Sequence, residues 1–338
     1  MLATLPIGAV IGSLAKNPNT VNGLVTLPII GITAISGIFY PIFALPGWVQ
    51  VIAQVFPIYW LGLGLRSAFL PDSAASVEIR VNGIELGYQV VGEGEPLILL
   101  HGGFGSVEMF GPNVELLAAG RQVIGVDLQS HGRSPATDRP MRFETMADDI
   151  ATLIRSLGFE RAAIMGFSLG GAVGLRTAIQ QPAVVERLVL VSTVFKRHGW
   201  FPEMTAGMDA MGPEIAGDLL QTPMYEAYQR VAPRVEDWPV LVRQVTDVVK
   251  VDYDWSAEIP GLSMPVMLVI GDADGMPPSH AVEFFGLLGG GQRDASWDRS
   301  GMTHHRLATL PGVTHYDINV VPALSAAAIP FLDCAAVW

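Results

Sequence analysis

A serine flanked by glycines is the residue of this sequence best placed to do chemistry. It lies in Gly166-Phe167-Ser168-Leu169-Gly170, between an apolar run at 162–165 and a helix-like pattern at 171–175. A strand, a tight turn and a helix in that order would lift the Ser168 hydroxyl above a sheet, with the N-terminus of the helix beneath it. This arrangement is typical of a nucleophile. The G-x-S-x-G string also arises by chance, so its meaning depends on partner residues.

Candidate partners for Ser168 follow two later apolar runs. Asp272 and Asp274 come after the run at 265–270, and His315 comes after the run at 307–310. A serine hydroxyl needs a base to take its proton and an acid to orient that base. The chain order serine, aspartate, histidine separates this pattern from other serine-triad folds. The sequence therefore predicts a nucleophile, an acid and a base at three strand ends.

A glycine-rich turn supplies candidates for an oxyanion hole. The segment His101-Gly102-Gly103-Phe104 follows an apolar run that ends at Leu100. Glycines there allow the backbone to approach a ligand, and the amide of Gly103 would then act together with the amide of Leu169. Phe104 is the alternative for the first of these two donors.

The elements that must position these residues alternate between strands and helices. A hairpin is predicted for 77–81 and 84–88 about Asn82-Gly83, and an amphipathic helix for 143–157. Short apolar runs predict further strands at 96–100, 123–126, 162–165, 188–191 and 265–270. Such alternation predicts an α/β fold whose central sheet is mostly parallel, with helices on both faces and an antiparallel N-terminal hairpin.

The alternation fails at about 195–259, where helix-like pieces, prolines and methionines occur without a convincing strand. An insertion between two strands would form a helical cap over the carboxyl ends of the sheet, where open α/β sheets bind ligands. Its larger apolar side chains are interpreted as packing inside the cap, with substrate contact as the alternative. They are Trp200, Phe201, Met204, Met208, Met211, Met224 and Trp238.

The N-terminal part of the chain has a different composition. Residues 17–65 contain neither a charged residue nor a histidine. They predict membrane helices at 21–45 and 48–65, and a hydrophobic hairpin packed on the rest of the protein is the alternative. Lys16 and Arg66 flank the stretch. If both lie in the cytoplasm, the residues that follow are cytoplasmic too.

Three sequence blocks in this segment are characteristic, namely Ser36-Gly37-Ile38-Phe39-Tyr40-Pro41, Leu45-Pro46-Gly47-Trp48 and Phe56-Pro57-Ile58-Tyr59-Trp60-Leu61. Through these blocks, residues 1–72 resemble the C-terminal part of ABC-2 type transporter permeases. That family has earlier membrane helices and a final one which this segment lacks, so a transport pathway is not expected from it. An anchor, a remnant and a gene-boundary fusion are the alternatives. The family topology would place the residues after Arg66 outside the cell, so the side of the membrane stays open.

A turn-rich junction at 73–76 separates this segment from residues 77–338. Two of the 20 basic residues and one of the 32 acidic residues fall in positions 1–74, which leaves the remainder with a formal charge of −13. Such a charge repels nucleic acid and anionic lipid, so neither is an expected partner. The single cysteine, Cys334, excludes an intrachain disulfide.

Residues 77 to about 333 resemble the α/β-hydrolase superfamily with a serine nucleophile. The His-Gly-Gly turn, the segment 126–134, G-F-S-L-G, G-D-A-D and the late Thr-His occur in family order. The resemblance implies that Asp274 is the acid and that Asp272 caps a turn. It also implies structural roles for His101 and His131. Asp127 is expected to hold its own turn, and His304 and His305 are expected at the surface.

The predicted reaction is acyl transfer through a Ser168-His315-Asp274 triad. An acyl-enzyme would form and be hydrolysed without a cofactor or a metal. Carboxylic ester hydrolysis is the leading prediction, and the expected substrate is small, neutral and fairly hydrophobic. Hydrolysis of a carbon–carbon bond as in meta-cleavage hydrolases, lactone opening and perhydrolysis use the same triad and remain open. A transporter-associated membrane component that carries the hydrolase domain as a passenger is the alternative of another class.

The predicted localisation is at a membrane through residues 1–72, with the cytoplasmic side favoured for the hydrolase domain. If the N-terminal segment is a remnant or an artefact, the prediction becomes cytoplasmic.

Overall fold

The computed structural model describes residues 77–334. The membrane segment predicted at 1–72 and the junction at 73–76 lie outside the described residues. Within 77–334, every helix is either too short or too polar to cross a bilayer.

Eight strands form one sheet in the order β1-β2-β4-β3-β5-β6-β7-β8. They are β1 Val77–Val81, β2 Ile84–Val91, β3 Pro96–Leu100, β4 Gln122–Val126, β5 Ala162–Phe167, β6 Val185–Val191, β7 Val266–Ala273 and β8 Arg306–Thr314. β2 runs antiparallel to both of its neighbours, and every other pairing is parallel. The predicted α/β architecture with a mostly parallel sheet is therefore confirmed.

The first hairpin turns at Asn82 and Gly83, as predicted, with φ angles of +45° and +88°. Two successive positive φ angles make the tight turn whose twist matches that of paired strands.

Nine helices connect and cover the strands within the described residues. They are α1 Asn113–Ala118, α2 Phe143–Ser156, α3 Leu169–Gln180, α4 Pro202–Ala210, α5 Ile215–Asp218, α6 Pro223–Val231, α7 Trp238–Val248, α8 Pro278–Leu287 and α9 Pro322–Asp333. Single 3₁₀ turns lie at Val107–Phe110, Pro182–Val184, Arg197–Gly199, Leu219–Gln221, Val235–Asp237 and Ile259–Gly261.

The two faces of the sheet bury two separate apolar cores. On β3, Ile98 and Leu100 pack with the face that carries α2 and α3, whereas Leu97 and Leu99 pack with α1 and α9. Side chains alternate along a strand, so a strand covered on both faces must be apolar throughout. This explains the uninterrupted apolar run at 96–100.

Between β6 and β7 the chain forms helices α4 to α7. The described residues of this stretch contain no strand, only an isolated antiparallel bridge between Lys196 and Asp254. Trp238 is 2% exposed and packs against Tyr225 and Tyr228, as expected for the core of a cap. The domain boundaries, including a cap at about 195–259, stay predictions.

Candidate active site

Ser168 occupies a strained turn between β5 and α3. It has φ +53° and ψ −115°, and its N–H donates to the Val191 carbonyl oxygen at 3.0 Å. Non-glycine residues rarely adopt a positive φ, and such strain persists only where the surrounding structure imposes it. The side chain is half-buried and borders a cavity.

The glycines after Ser168 are required by close packing. A Cβ on Gly170 would lie 2.4 Å from the His101 carbonyl oxygen, and one on Gly171 would lie 1.8 Å from Thr193 Oγ1. Both distances are far below van der Waals contact, so a side chain would force the backbone apart. The small residues of the motif thus let the helix approach the sheet closely.

The structure brings the three predicted triad residues together. His315 Nε2 lies 3.2 Å from Ser168 Oγ, and His315 Nδ1 lies 3.0 Å from Asp274 Oδ1. Because a carboxylate only accepts hydrogen bonds, Nδ1 carries the proton and Nε2 is left to accept from the serine hydroxyl. This arrangement can remove a proton from Ser168.

Asp274 is held by four donors. The amide of Gly275 donates to Oδ1 at 2.7 Å, alongside His315. The amide of Gly271 and the hydroxyl of Ser192 donate to Oδ2. Burial raises the pKa of Asp274, but the hydrogen bonds from His315 and Ser192 outweigh it and keep this pKa below its ordinary value. The sequence analysis missed Ser192, which has no glycine beside it.

Asp272 has a different environment from Asp274. Its exposed carboxylate accepts hydrogen bonds from the amides of Gly312, at 2.8 Å, and Val313, at 3.3 Å. It therefore ties the end of β7 to β8 and makes no hydrogen bond to His315.

The two predicted oxyanion donors, Gly103 and Leu169, both line the cavity beside Ser168. In the part of the chain that the structure describes, neither amide donates to a protein acceptor. The amide of Phe104, the alternative donor, is already used, because it donates to His131 Nε2 at 3.2 Å. The geometry therefore favours Gly103 over Phe104.

Two buried histidines connect the loops after β3 and β4. His101 Nε2 accepts from the Leu128 amide at 3.0 Å, and the opposite nitrogen donates to the Gly102 carbonyl. His131 donates to the Gln129 carbonyl and accepts from Phe104. Burial is the main cause that lowers the pKa of both rings, so both are neutral at pH 7. They hold the turn that carries Gly103.

Asp127 binds its own turn, as predicted. Its carboxylate accepts from the amides of Val107 and Arg133 and pairs with the Arg133 guanidinium. Among residues 77–334, no group of three or more histidine, cysteine, aspartate or glutamate side chains is arranged to hold a metal ion.

The prediction that His305 lies at the surface is wrong. His305 is 4% exposed and accepts a hydrogen bond from the Val266 amide at 3.1 Å. Burial lowers its pKa to about 4, so it is a neutral acceptor at the start of β7. His304 is half-buried.

A cavity of about 610 Å³ lies over Ser168 and His315. Its lining is mostly apolar and comes both from the strand ends and from helices α4, α6 and α7. The methionines Met204, Met208, Met211 and Met224 are part of this lining. They therefore face the cavity rather than only the interior of the cap, whereas Trp238 is buried as the packing interpretation predicts. Trp297, in the glycine-rich loop before β8, is fully exposed and does not line this cavity.

Two family models match the sequence. One describes the alpha/beta hydrolase fold and matches residues 95–237. The other describes an ABC-2 family transporter protein and matches residues 1–103. The second match continues past residue 72 through the segment that the structure folds into β1, β2 and β3.

Three proteins that are similar to this chain differ in their sequence identity to it and in how much of it they cover. An AB hydrolase superfamily protein of Bacillus subtilis (strain 168) is 30% identical over 213 residues, which cover 56% of this chain and 77% of that protein. An sn-1-specific diacylglycerol lipase of Danio rerio is 36% identical over 126 residues, or 36% of this chain. This chain spans only 39% of the length of that lipase. A thermophilic esterase of Thermogutta terrifontis has a TM-score of 0.59 at 21% identity, over 77% of this chain and 98% of that structure.

Proposed function

Because this chain belongs to the α/β hydrolase superfamily, we propose that it is a serine hydrolase of carboxylic esters, with Ser168 as nucleophile, His315 as base and Asp274 as acid. The observation that carries this proposal is the hydrogen-bonded series from Ser168 Oγ through the His315 ring to Asp274, at the floor of an apolar cavity.

The proposed reaction begins when Ser168 Oγ attacks the acyl carbon while His315 Nε2 takes the hydroxyl proton. The negative charge that develops on the acyl oxygen accepts hydrogen bonds from the amides of Gly103 and Leu169. The bond between the acyl carbon and the alkoxy oxygen then breaks as His315 gives its proton to the departing alkoxide. The alcohol leaves, and the acyl group remains on Ser168 Oγ as an acyl-enzyme. Water, deprotonated by His315, attacks the acyl-enzyme and releases the acid, and the proton returns to Ser168. Asp274 stabilises the positive ring throughout.

The proposed substrate is small, neutral and fairly hydrophobic. The methionine-rich lining of the cavity and the net negative charge of residues 75–338 support this choice. Related proteins named as a lipase and an esterase are consistent with an ester. Lactone opening, perhydrolysis and cleavage of a carbon–carbon bond would use the same residues, so an activity screen across these substrate classes separates them.

The N-terminal segment is proposed to attach the enzyme to a membrane. The match of residues 1–103 to an ABC-2 transporter family supports this, as does the uncharged stretch 17–65. Fractionation of the full chain tests it. Recovery with membranes after an alkaline wash is the expected result, and recovery in the aqueous fraction without detergent would contradict it. Assembly with further transporter subunits would favour the alternative of a passenger hydrolase.

Turnover of p-nitrophenyl butyrate by the full chain tests the proposed chemistry. Ser168→Ala should reduce kcat/KM by at least about 10³-fold, because the nucleophile is lost. Ser325→Ala is the matched control, since Ser325 is a buried serine of α9 whose hydroxyl donates to Asn113 of α1, away from the triad. Activity that survives Ser168→Ala would overturn the assignment of the nucleophile.

A further inference from the structure

Four neighbouring strands each end directly before a polar residue of the site. In sheet order these strands are β5, β6, β7 and β8, and the residues that follow them are Ser168, Ser192, Asp274 and His315. The strands are parallel, so their carboxyl ends meet at one edge of the sheet. Three of these residues form the proposed triad, and Ser192 is the fourth.

The Ser192 hydroxyl is aimed at the acid of the triad. Ser192 is 0% exposed and its Oγ donates to Asp274 Oδ2. The hydrogen bond can run only in this direction, because the ionised carboxylate has no proton to give. The Ser192 backbone is fixed as well, with φ +49° and an N–H that donates to the Val269 carbonyl at 2.9 Å.

We propose that Ser192 is a positioning residue for the triad, whose hydroxyl holds Asp274 Oδ2 so that Oδ1 stays aligned with His315 Nδ1. This inference rests on the proposed hydrolase function. The Asp274 side chain has no exposed surface, and among residues 77–334 its Oδ2 accepts from two donors, the Ser192 hydroxyl and the amide of Gly271. Loss of the hydroxyl leaves Oδ2 with the Gly271 amide alone, so the orientation of the carboxylate about its Cβ–Cγ bond is less tightly fixed.

A pair of substitutions separates the hydroxyl from the backbone. Ser192→Ala removes the hydroxyl and keeps the Cβ, whereas Ser192→Gly also relieves the strain of a positive φ. Both variants should lower kcat for p-nitrophenyl butyrate by about tenfold with little change in KM, because the imidazole is less well oriented in the transition state. If only the backbone shape mattered, the glycine variant would match the wild type, and the inference would be overturned.

The pH dependence of kcat/KM provides a second measurement. It should not change if Ser192 serves only to stabilise the fold. A carboxylate deprived of one donor stabilises the positively charged imidazole more strongly. The acid limb of kcat/KM in both variants should therefore move to higher pH by about half a unit. Ser325→Ala removes an equally buried hydroxyl and should leave the limb in place.

The possible failures are distinguishable. If both Ser192 variants keep the wild-type kcat and the wild-type acid limb of kcat/KM, the proposed role of Ser192 is overturned. The proposed esterase function, which depends on Ser168, would be unaffected by that result. Absence of any Ser168-dependent turnover in the wild type would instead refute the proposed function itself.

Discussion

Two serines of this molecule share a positive φ angle at the end of a strand and differ in burial and in the group that their hydroxyl faces. Ser168 and Ser192 each follow the last residue of a parallel strand, with φ angles of +53° and +49°. The N–H of each donates to the neighbouring strand, at Val191 and Val269 respectively. Ser168 is half-buried beside the cavity, whereas Ser192 has no exposed surface.

Under the proposed assignment of Ser168, the difference between the two serines means that such a turn is not enough to make a nucleophile. Ser168 Oγ faces His315 Nε2, a ring nitrogen that can accept the hydroxyl proton. Ser192 Oγ faces the carboxylate of Asp274, whose low pKa makes it a poor base. A strained turn presents the hydroxyl, while the neighbouring side chain and access to the cavity decide what that hydroxyl does.

The largest expected loss of activity comes from substituting Asp274. This residue bonds Ser192 directly and is linked to Ser168 through His315. Asp274→Asn should lower kcat/KM by about 10³-fold or more, because an amide no longer fixes the reactive tautomer of His315. Combining it with Ser192→Ala should add little further loss, since the hydroxyl then has no carboxylate to hold. Steady-state kinetics of the two single variants and the double variant measure this coupling.

Asp272→Asn is the matched control for that cycle. Asp272 lies two residues away, and within residues 77–334 its carboxylate bonds only the backbone amides of Gly312 and Val313 in β8. Activity within about threefold of the wild type is therefore expected. Fully independent losses from Asp274→Asn and Ser192→Ala would contradict the link between Ser192 and the triad.

The next largest effect is on stability, and it tests the close packing between the turn after Ser168 and the turn after Ser192. A Cβ on Gly171 would meet Thr193 Oγ1, the side chain next to Ser192, at 1.8 Å. Gly171→Ala should therefore lower the free energy of unfolding by about 1 to 3 kcal/mol through overpacking. Gly217→Ala is the control, because a Cβ at that helical position would meet no described atom within 4 Å apart from its chain neighbours and the backbone of its own helix. Equal unfolding midpoints in urea for the two variants would contradict the close packing of the turns.

The smallest expected effect is the pH dependence of the free energy of unfolding that Ser192→Ala loses relative to the wild type. The pKa of Asp274 in the folded protein lies below its unfolded value of 3.8, so its ionisation contributes stability that is present above pH 3.8. That stability is lost as the pH falls through the folded pKa. Without the Ser192 hydroxyl, the folded pKa moves up and part of the contribution disappears.

The destabilisation by Ser192→Ala should accordingly be constant near neutral pH and shrink by about 1 kcal/mol below pH 3.8. Urea unfolding of the wild type and the variant from pH 2 to pH 7 measures the difference. The difference between the wild type and Ser325→Ala should not vary with pH, because Ser325 bonds the uncharged Asn113. A pH-independent difference for Ser192→Ala would show that its hydroxyl does not sense the charge of Asp274.

Much of the fold could be predicted because its signals are local. The runs at 96–100 and 162–165 are apolar throughout because helices cover both faces of the sheet. The pair Asn82-Gly83 predicts a hairpin turn because both of its residues tolerate positive φ angles. Ser168 stood out because glycines must surround it. Asp274 and His315 could be placed because each follows an apolar run.

The residues that sequence analysis missed or misplaced depend on contacts between distant positions. Ser192 lies in Val191-Ser192-Thr193-Val194, without a glycine to indicate its positive φ, and its partner is 82 residues away. His305 follows polar residues that suggest an exposed loop, but the neighbouring strand buries it against Val266. The methionines of α4 and α6 could not be assigned to cavity or core, because an apolar side chain suits either place.

Covalent labelling with a fluorophosphonate tests the central claim most directly, because this reagent phosphonylates an activated serine. Intact-mass analysis followed by peptide mapping should find one adduct per chain, on Ser168, in the wild type. The adduct should be absent from Ser168→Ala and retained in Ser192→Ala. An adduct on Ser192 or another residue, or none at all in a folded chain that hydrolyses p-nitrophenyl butyrate, would contradict the assignment of Ser168 as the nucleophile.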